Sequence, residues 1–333
     1  MIRKTLLTSA FGLFILFAFT LQSCIKEYPV GGKGNDPDAV AAVIEVNCGL
    51  SWISIPHYID FETKAAQEFP HHFIVEVSLN SQKICRDEFY LSNQQFSSGQ
   101  ITHQLSVPLS AKVYDIAVWY DTDDSRSAQY YDSHTLEDVR IINTSTSSAD
   151  EMICAFASGT LDCRNPESIS GHKIVTESFE LKIPGARFEL IATDVNQFIS
   201  DNKAALDLGE TYYCEVNFGN GTYSSFNVYK DMPLTLDGEF FLSGRMRLPY
   251  DKYDSLKIAE GFFFCKDGYE ANLRLTVRNS ASVAVSETGI FTLPAKRGAI
   301  ISIYGDFLTH PLDGYFSIDN MWEGEISYEY KEE

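Results

Sequence analysis

Short stretches of alternating apolar and polar residues recur along most of this chain, and they predict strands. Phe73 to Leu79 alternates at period two, Val113 to Tyr120 reads as a strand ending in the polar turn Asp121 to Ser125, and Val40 to Val46 is rich in strand-forming residues. Ile153 to Leu161 reads as a strand region around a turn at Gly159, and Thr144 to Asp150 as a polar loop. Phe179 to Ile183 and Arg187 to Ala192 alternate on either side of a Pro184-Gly185 break. Tyr212 to Phe218 follows, closed by the turn residues Gly219-Asn220-Gly221. Ser255 to Cys265, Ala271 to Val277, Gly289 to Leu293 and Ala299 to Phe307 are further strands, and Ile326 to Tyr330 ends the series. Only Val195 to Leu206 has helical periodicity. Many short strands with almost no helix predict an all-β protein built of antiparallel sandwiches. Two are expected, divided near Pro166 to Lys173: residues 40–168 and 169–333.

The first residues follow another rule. Arg3 and Lys4 precede the apolar run Ala10 to Phe19, and Leu21-Gln22-Ser23-Cys24 places a small residue before a cysteine. The run is shorter than the ~20 residues that span a bilayer and suits a cleaved signal. A cysteine at the cleavage point supplies the thiol that carries a diacylglyceryl group. Residues 1–23 therefore read as a lipoprotein signal peptide, with Cys24 as the lipidation site and the lipid as the membrane anchor. Residues 24–39, rich in Gly, Pro, Lys and Asp, form a tether unable to bury itself.

Charge narrows the partners. Cleavage removes Arg3 and Lys4 and no acid, so the net charge of −20 becomes −22. Nucleic acid and anionic lipid surfaces both need clustered cations, and neither suits this chain. An apolar fraction of 44%, with 23 Phe and 18 Tyr, is ample for packed cores.

Beyond Cys24 the cysteines are Cys48, Cys85, Cys154, Cys163, Cys214 and Cys265. Export permits disulfides. Cys154 and Cys163 flank Gly159, so a hairpin there would join them, subject to geometry. No Cys or His grouping has zinc spacing, and neither a metal nor another cofactor is expected.

Other candidates read as ordinary structure. Asp121, Asp123 and Asp124 lack the turn Gly and distant Glu of a calcium loop and read as a solvated turn. His71 and His72 are adjacent on a strand and point to opposite faces, so with His57 they make no metal site. Gly-x-Ser-x-Gly, a phosphate loop and His-Glu-x-x-His are all missing, which leaves no basis for catalysis. Asp254-Ser255-Leu256 resembles a short acceptor motif for bacterial O-glycosylation, although a plain turn-to-strand junction explains it equally well.

Pro184 to Val195, Ser225 to Pro233 and above all Leu293 to Thr309 resemble segments of the C-terminal domain of fimbrillin-like lipoproteins of the Bacteroidetes. Val113 to Tyr120 with Tyr130-Tyr131-Asp132 is similar to the corresponding strand and loop of their N-terminal domain. The resemblance implies two tandem transthyretin-like sandwiches on the outer membrane, at the cell surface. It also implies a role in anchoring or building a fimbria, with fimbrial subunits as partners joined by donor-strand exchange. Ile326, Tyr328 and Tyr330 are then the candidate donor strand, although an ordinary last strand has the same pattern. Stalk subunits of this kind are trimmed by an Arg-directed protease, yet here no arginine lies between Arg3 and Arg86. That departure favours an anchor or accessory subunit that keeps its lipid. The alternative is a non-polymerising surface lipoprotein that binds glycan or host protein, with Trp52, Trp119 and Trp322 as its motive.

Overall fold

The structure is a computed structural model, and it describes residues 39–48, 71–96, 99–122, 130–142, 152–219, 222–234, 240–248, 254–309, 314–320 and 324–328. Residues 1–38, which hold the expected signal peptide, Cys24 and most of the expected tether, lie outside the described residues, as do Trp52, His57, Asp123, Asp124, Trp322 and Tyr330.

In the first half the elements are β1 (Ala41–Asn47), β2 (His71–Leu79), β3 (Gln82–Leu91), the one-turn helix α1 (Asn93–Phe96), β4 (Gln100–Gln104) and β5 (Val113–Asp121). They continue with β6 (Tyr131–Asp132), β7 (Val139–Ile141), β8 (Cys154–Asp162), β9 (Glu167–Ile169) and β10 (His172–Glu180). The second half has β11 (Gly185–Ala192), α2 (Val195–Asp201), α3 (Lys203–Asp207), β12 (Tyr212–Phe218), β13 (Ser225–Asn227), β14 (Met232–Pro233) and β15 (Phe240–Arg245). It closes with β16 (Leu256–Phe264), β17 (Tyr269–Asn279), β18 (Ala284–Glu287), β19 (Phe291–Ala295), β20 (Ile300–Gly305), β21 (Gly314–Asn320) and β22 (Gly324–Tyr328).

The two halves repeat one strand order. In the first, β4-β1-β10-β9 faces β3-β2-β5-β8; in the second, β16-β11-β20-β21-β22 faces β15-β12-β17-β18, with β19 also on β17. Counting β1, β2, β3, β4, β5, β8 and β10 as positions one to seven, the sheets run 4-1-7 and 3-2-5-6. The strands β11, β12, β15, β16, β17, β18 with β19, and β20 reproduce both orders. Each half also joins its first and seventh strands in parallel, β1 with β10 and β11 with β20. The expected sandwiches are therefore antiparallel except at these two pairs, a long-range closure that no local pattern encodes.

Each sheet pair encloses its own core. Ala42, Ile44 and Val46 point inward from β1 against Phe73, Val75, Val77, Tyr114, Ile116 and Val118. In the second half Phe188 and Leu190 meet Cys214, Val216, Leu273, Leu275, Ile301 and Ile303. A third core lies between the halves. Ile74, Ala117, Trp119 and Phe156 cover the outer face of the β2-β5-β8 sheet and meet Phe226, Phe262 and Phe264 from the second half. Two hairpins inserted into the repeat, β6–β7 and β13–β14, pair with each other in the sheet β14-β13-β7-β6 and complete this seam. β2 and β5 bury both faces, so the alternation read at Phe73 to Leu79 locates a strand without marking a solvent-facing side.

Two boundaries differ from the sequence expectation. Pro166 to Lys173 is no linker: Ser170 and Gly171 both have positive φ, 52° and 81°, and make the tight turn of the β9–β10 hairpin. β10 then pairs with β1, so residues up to Glu180 belong to the first half, and the chain crosses over between Lys182 and Gly185. The Val195 to Leu206 helix is two short helices parted at Asn202, whose side-chain amide donates to the Phe198 carbonyl at 2.9 Å.

Candidate functional site

Gly159 is not in a turn. It lies within the continuous strand β8, where an added Cβ would stand 2.9 Å from the Phe179 ring. Cys154 opens that strand and Cys163 follows its last residue, about 30 Å apart at ~3.3 Å per residue. A disulfide needs Cα atoms within about 7 Å, so the expected Cys154–Cys163 bridge is ruled out. Both are free thiols, as are Cys48, Cys85, Cys214 and Cys265, and all six are buried. Burial pushes Cys163 up to about 11 and Cys48, Cys85 and Cys265 up to about 12, which suppresses the reactive thiolate.

The adjacent histidines diverge as strand geometry requires. His71 Nδ1 lies 2.9 Å from the Tyr120 hydroxyl, and its ring stacks on Phe96. His72 Nδ1 lies 2.7 Å from Asp121 Oδ1, Trp119 Nε1 donates to Asp121 Oδ2 at 2.6 Å, and Glu88 approaches His72 Nε2 at 3.1 Å. Burial works against a charged His72, but the Asp121 hydrogen bond and the charges of Asp121 and Glu88 outweigh it, so the imidazole is held above its ordinary value. Asp121 is thus the buried end of β5 rather than part of a solvated turn, and Trp119 is wholly buried rather than available to a sugar. The sequence gives no local sign of this cluster, because His72 and Asp121 meet only through the β2–β5 register. No group of three metal-ligating side chains occurs among the described residues.

Polar contacts hold the seam on either side of its apolar core. Glu76 is 1% exposed and accepts from Lys83 Nζ at 2.7 Å, Arg86 Nη1 at 2.5 Å and, from the second half, the Tyr229 hydroxyl at 3.4 Å. Arg86 Nη2 also donates to the Ser133 carbonyl at 2.9 Å. Arg297 reaches from the second half across the crossover. Its Nη1 bonds Asp231 at 2.7 Å, its Nε bonds the Ile183 carbonyl at 3.1 Å, and its guanidinium lies over the rings of Phe156 and Phe226.

At the two ends of the chain lie the candidate attachment elements. β1, the first described strand, is flanked by β10 along its whole length and by β4 over Val43–Asn47. β22 pairs antiparallel with β21 and is the last strand of its sheet. Ile326 is in register with Ile318 and, through β21, with buried Ile301; Tyr328 is in register with Phe316 and Ile303. No helix among the described residues is long and apolar enough to cross a membrane.

Several solved structures are similar in architecture. One is a candidate polysaccharide-binding protein from Bacteroides thetaiotaomicron, with a TM-score of 0.48, 12% identity, and coverage of 88% of this chain and 99% of that one. The fimbrial anchor protein Mfa2 from Porphyromonas gingivalis has a TM-score of 0.45 and 11% identity, covering 85% and 98%. A fimbrial assembly protein from Parabacteroides distasonis has a TM-score of 0.38 and 10% identity, covering 87% and 98%. No curated protein matches the sequence. The model of a family of unknown function, DUF6562, matches residues 43–333, and the chain belongs to that family.

Proposed function

We propose that this chain is a lipid-anchored structural subunit of a surface fimbria, an anchor or accessory component rather than an enzyme. The observation that carries the reading is the setting of β1. The strand that continues from the Cys24 lipid and the tether lies inside a sheet, between β4 and β10. Ladder hydrogen bonds run across the strand axis, so a pull along β1 loads both ladders together instead of unzipping them singly. Such a root suits a protein that bears load between a membrane and a filament.

Retention of the lipid follows from the same strand. A cut that released β1 would have to fall between Asn47 and His71, where the chain has no arginine. Arg86, the next one, lies within β3 and is tied to Glu76 and Ser133. In this reading neighbouring subunits join by strand exchange at the sheet that ends in β22, and the body stands on the outer face of the outer membrane.

Intact mass and N-terminal sequencing of the protein purified from outer membranes, together with its filament fraction, test the reading. A lipidated N-terminus at Cys24, a mass running to Glu333 and co-purification with filaments are expected. A lipid-free chain beginning after Lys64 or Arg86 would make it a polymerising subunit instead, and a lipidated monomer never found in an assembly would end the fimbrial role.

A further inference from the structure

The duplicated strand order gives the β3-β2-β5-β8 and β15-β12-β17-β18 sheets the same place in their halves. In the first half the outer face of that sheet is covered, since Ile74, Trp119 and Phe156 are buried in the seam. In the second half the inner residues Cys214, Val216, Leu273 and Leu275 fill the core; of the alternate positions Tyr213 and Arg274 are exposed, Glu215, Asn217 and Arg278 partly exposed and Thr276 buried.

That open face is unlike the rest of an acidic chain. Arg245, Tyr213 and Arg278 form one row across β15, β12 and β17, and Phe241, Asn217 and Arg274 form another. Tyr213 and Phe241 are each 38% exposed. The two rows are about 13 Å apart along the strands at ~3.3 Å per residue. Arg278 is shared with Glu215 at 3.2 Å, and Arg274 lies 3.6 Å from Glu287. Arg245 and the exposed Arg247 just beyond β15 make no ion pair among the described residues. Four guanidinium groups thus share this sheet face with the carboxylates of Glu215, Glu270 and Glu287, and the unpaired cations are those of Arg245 and Arg247, on a chain whose net charge is −20.

We infer that this face docks an acidic, uronate-bearing polysaccharide. The guanidinium fork matches a carboxylate, Arg245 and Arg247 are free to take one each, and Tyr213 and Phe241 offer rings to the apolar faces of the sugars. A spaced set of cations with aromatic rings between them fits a polymer of separated carboxylates and apolar ring faces. It suits nucleic acid poorly, where one charge falls every ~1.7 Å of duplex and the chain's overall charge repels.

The test uses the full lipidated chain in non-ionic detergent, with immobilised polygalacturonate as the probe, dextran as the neutral sugar and polyglutamate as the sugar-free polyanion. Expected is saturable binding to polygalacturonate that falls with salt, about tenfold weaker binding to polyglutamate, and none to dextran. Arg245→Ser/Arg247→Ser, which breaks no ion pair, and Tyr213→Ser should each weaken binding about tenfold while leaving the circular dichroism spectrum and melting temperature unchanged. Equal binding to polyglutamate, or unchanged binding by Tyr213→Ser, would overturn the sugar assignment and leave a generic anion surface. No binding to polygalacturonate would overturn the proposal. So would self-association in sedimentation that the double arginine variant abolishes, since the occupant would then be a second copy of this acidic chain.

Discussion

Phe264→Ala tests whether the seam makes the two halves one cooperative unit. Phe264 is wholly buried, and its ring lies 5.5 Å from Phe226, 5.6 Å from Phe262 and 6.4 Å from both Trp119 and Tyr131. These neighbours come from both halves, so no single sheet can close the space. Truncating a buried Phe costs about 3–5 kcal/mol, the upper end applying where surroundings cannot collapse. Here the loss falls on the coupling between the halves, because both sandwich cores keep their side chains. Urea unfolding followed by tryptophan emission and by far-ultraviolet circular dichroism reads both quantities. Trp119 lies in the seam and donates to Asp121, so in a Trp52→Phe/Trp322→Phe background, where it is the one emitter, its emission reports opening there. The wild type should show coincident transitions, whereas Phe264→Ala should separate them, with emission changing first. Phe218→Ala, confined to the second core, should lower stability by a similar amount and separate the transitions less. A Phe264→Ala protein that loses under about 1 kcal/mol, or that still unfolds in one coincident step, would refute the seam as the coupling element.

His72 binds its proton more tightly when folded, so its contribution to stability is complete below the ordinary histidine value of 6.5 and is lost as pH rises through the folded value. The stability gap between wild type and His72→Asn, measured by urea melts, should therefore be wider at pH 5.5 than at pH 9. Gly185→Ala places a Cβ 2.1 Å from the Phe263 carbonyl oxygen, a backbone atom fixed by the β11–β16 ladder, and should cost about 3 kcal/mol or more in thermal or urea unfolding. The six buried thiols should resist a soluble aromatic disulfide reagent in the native protein and all react once it is unfolded. A mass two hydrogens low, or prompt labelling of native protein, would contradict their burial.

What the sequence revealed was set by whether a strand carries a long enough run of β-branched and aromatic residues. β1, β2, β5, β11 and β12 were legible, as was the middle of β17. β10 was legible only at Phe179, because most of the strand is partly exposed on both sides and its turn has the composition of a linker. β13 and β14, three and two residues long, leave too short a pattern to read, yet they build the seam. The glycine between Cys154 and Cys163 resembled a turn because its other role, admitting Phe179 against the backbone, depends on a strand that arrives later in the chain. Of the attachment elements, the terminal strand was read from its alternation, whereas the open face was missed. Its aromatics and arginines come from three strands, and only register brings them into rows.

The duplication explains why one face became a seam and its counterpart stayed open. Two equal sandwiches joined at the short Lys182–Gly185 crossover would hinge there, and a load applied at β1 would bend the joint before it reached the second half. Covering the β2-β5-β8 face with Phe226, Phe262 and Phe264 removes that freedom, and the two inserted hairpins pair across the joint to fix its angle. Glu76 then joins the halves through Tyr229, and Arg297, bonded to Asp231 and to the Ile183 carbonyl in the crossover, does so through its contact with the Phe156 ring. The matching face of the second half meets no other sheet among the described residues. Its inward residues remain apolar while its outward ones are Arg, Tyr, Phe, Glu and Asn, as solvent and a charged polymer both permit but a packed protein seam does not. On the proposed function, force would pass from the lipid through β1 and the seam into a body whose far sheet carries the inferred docking face.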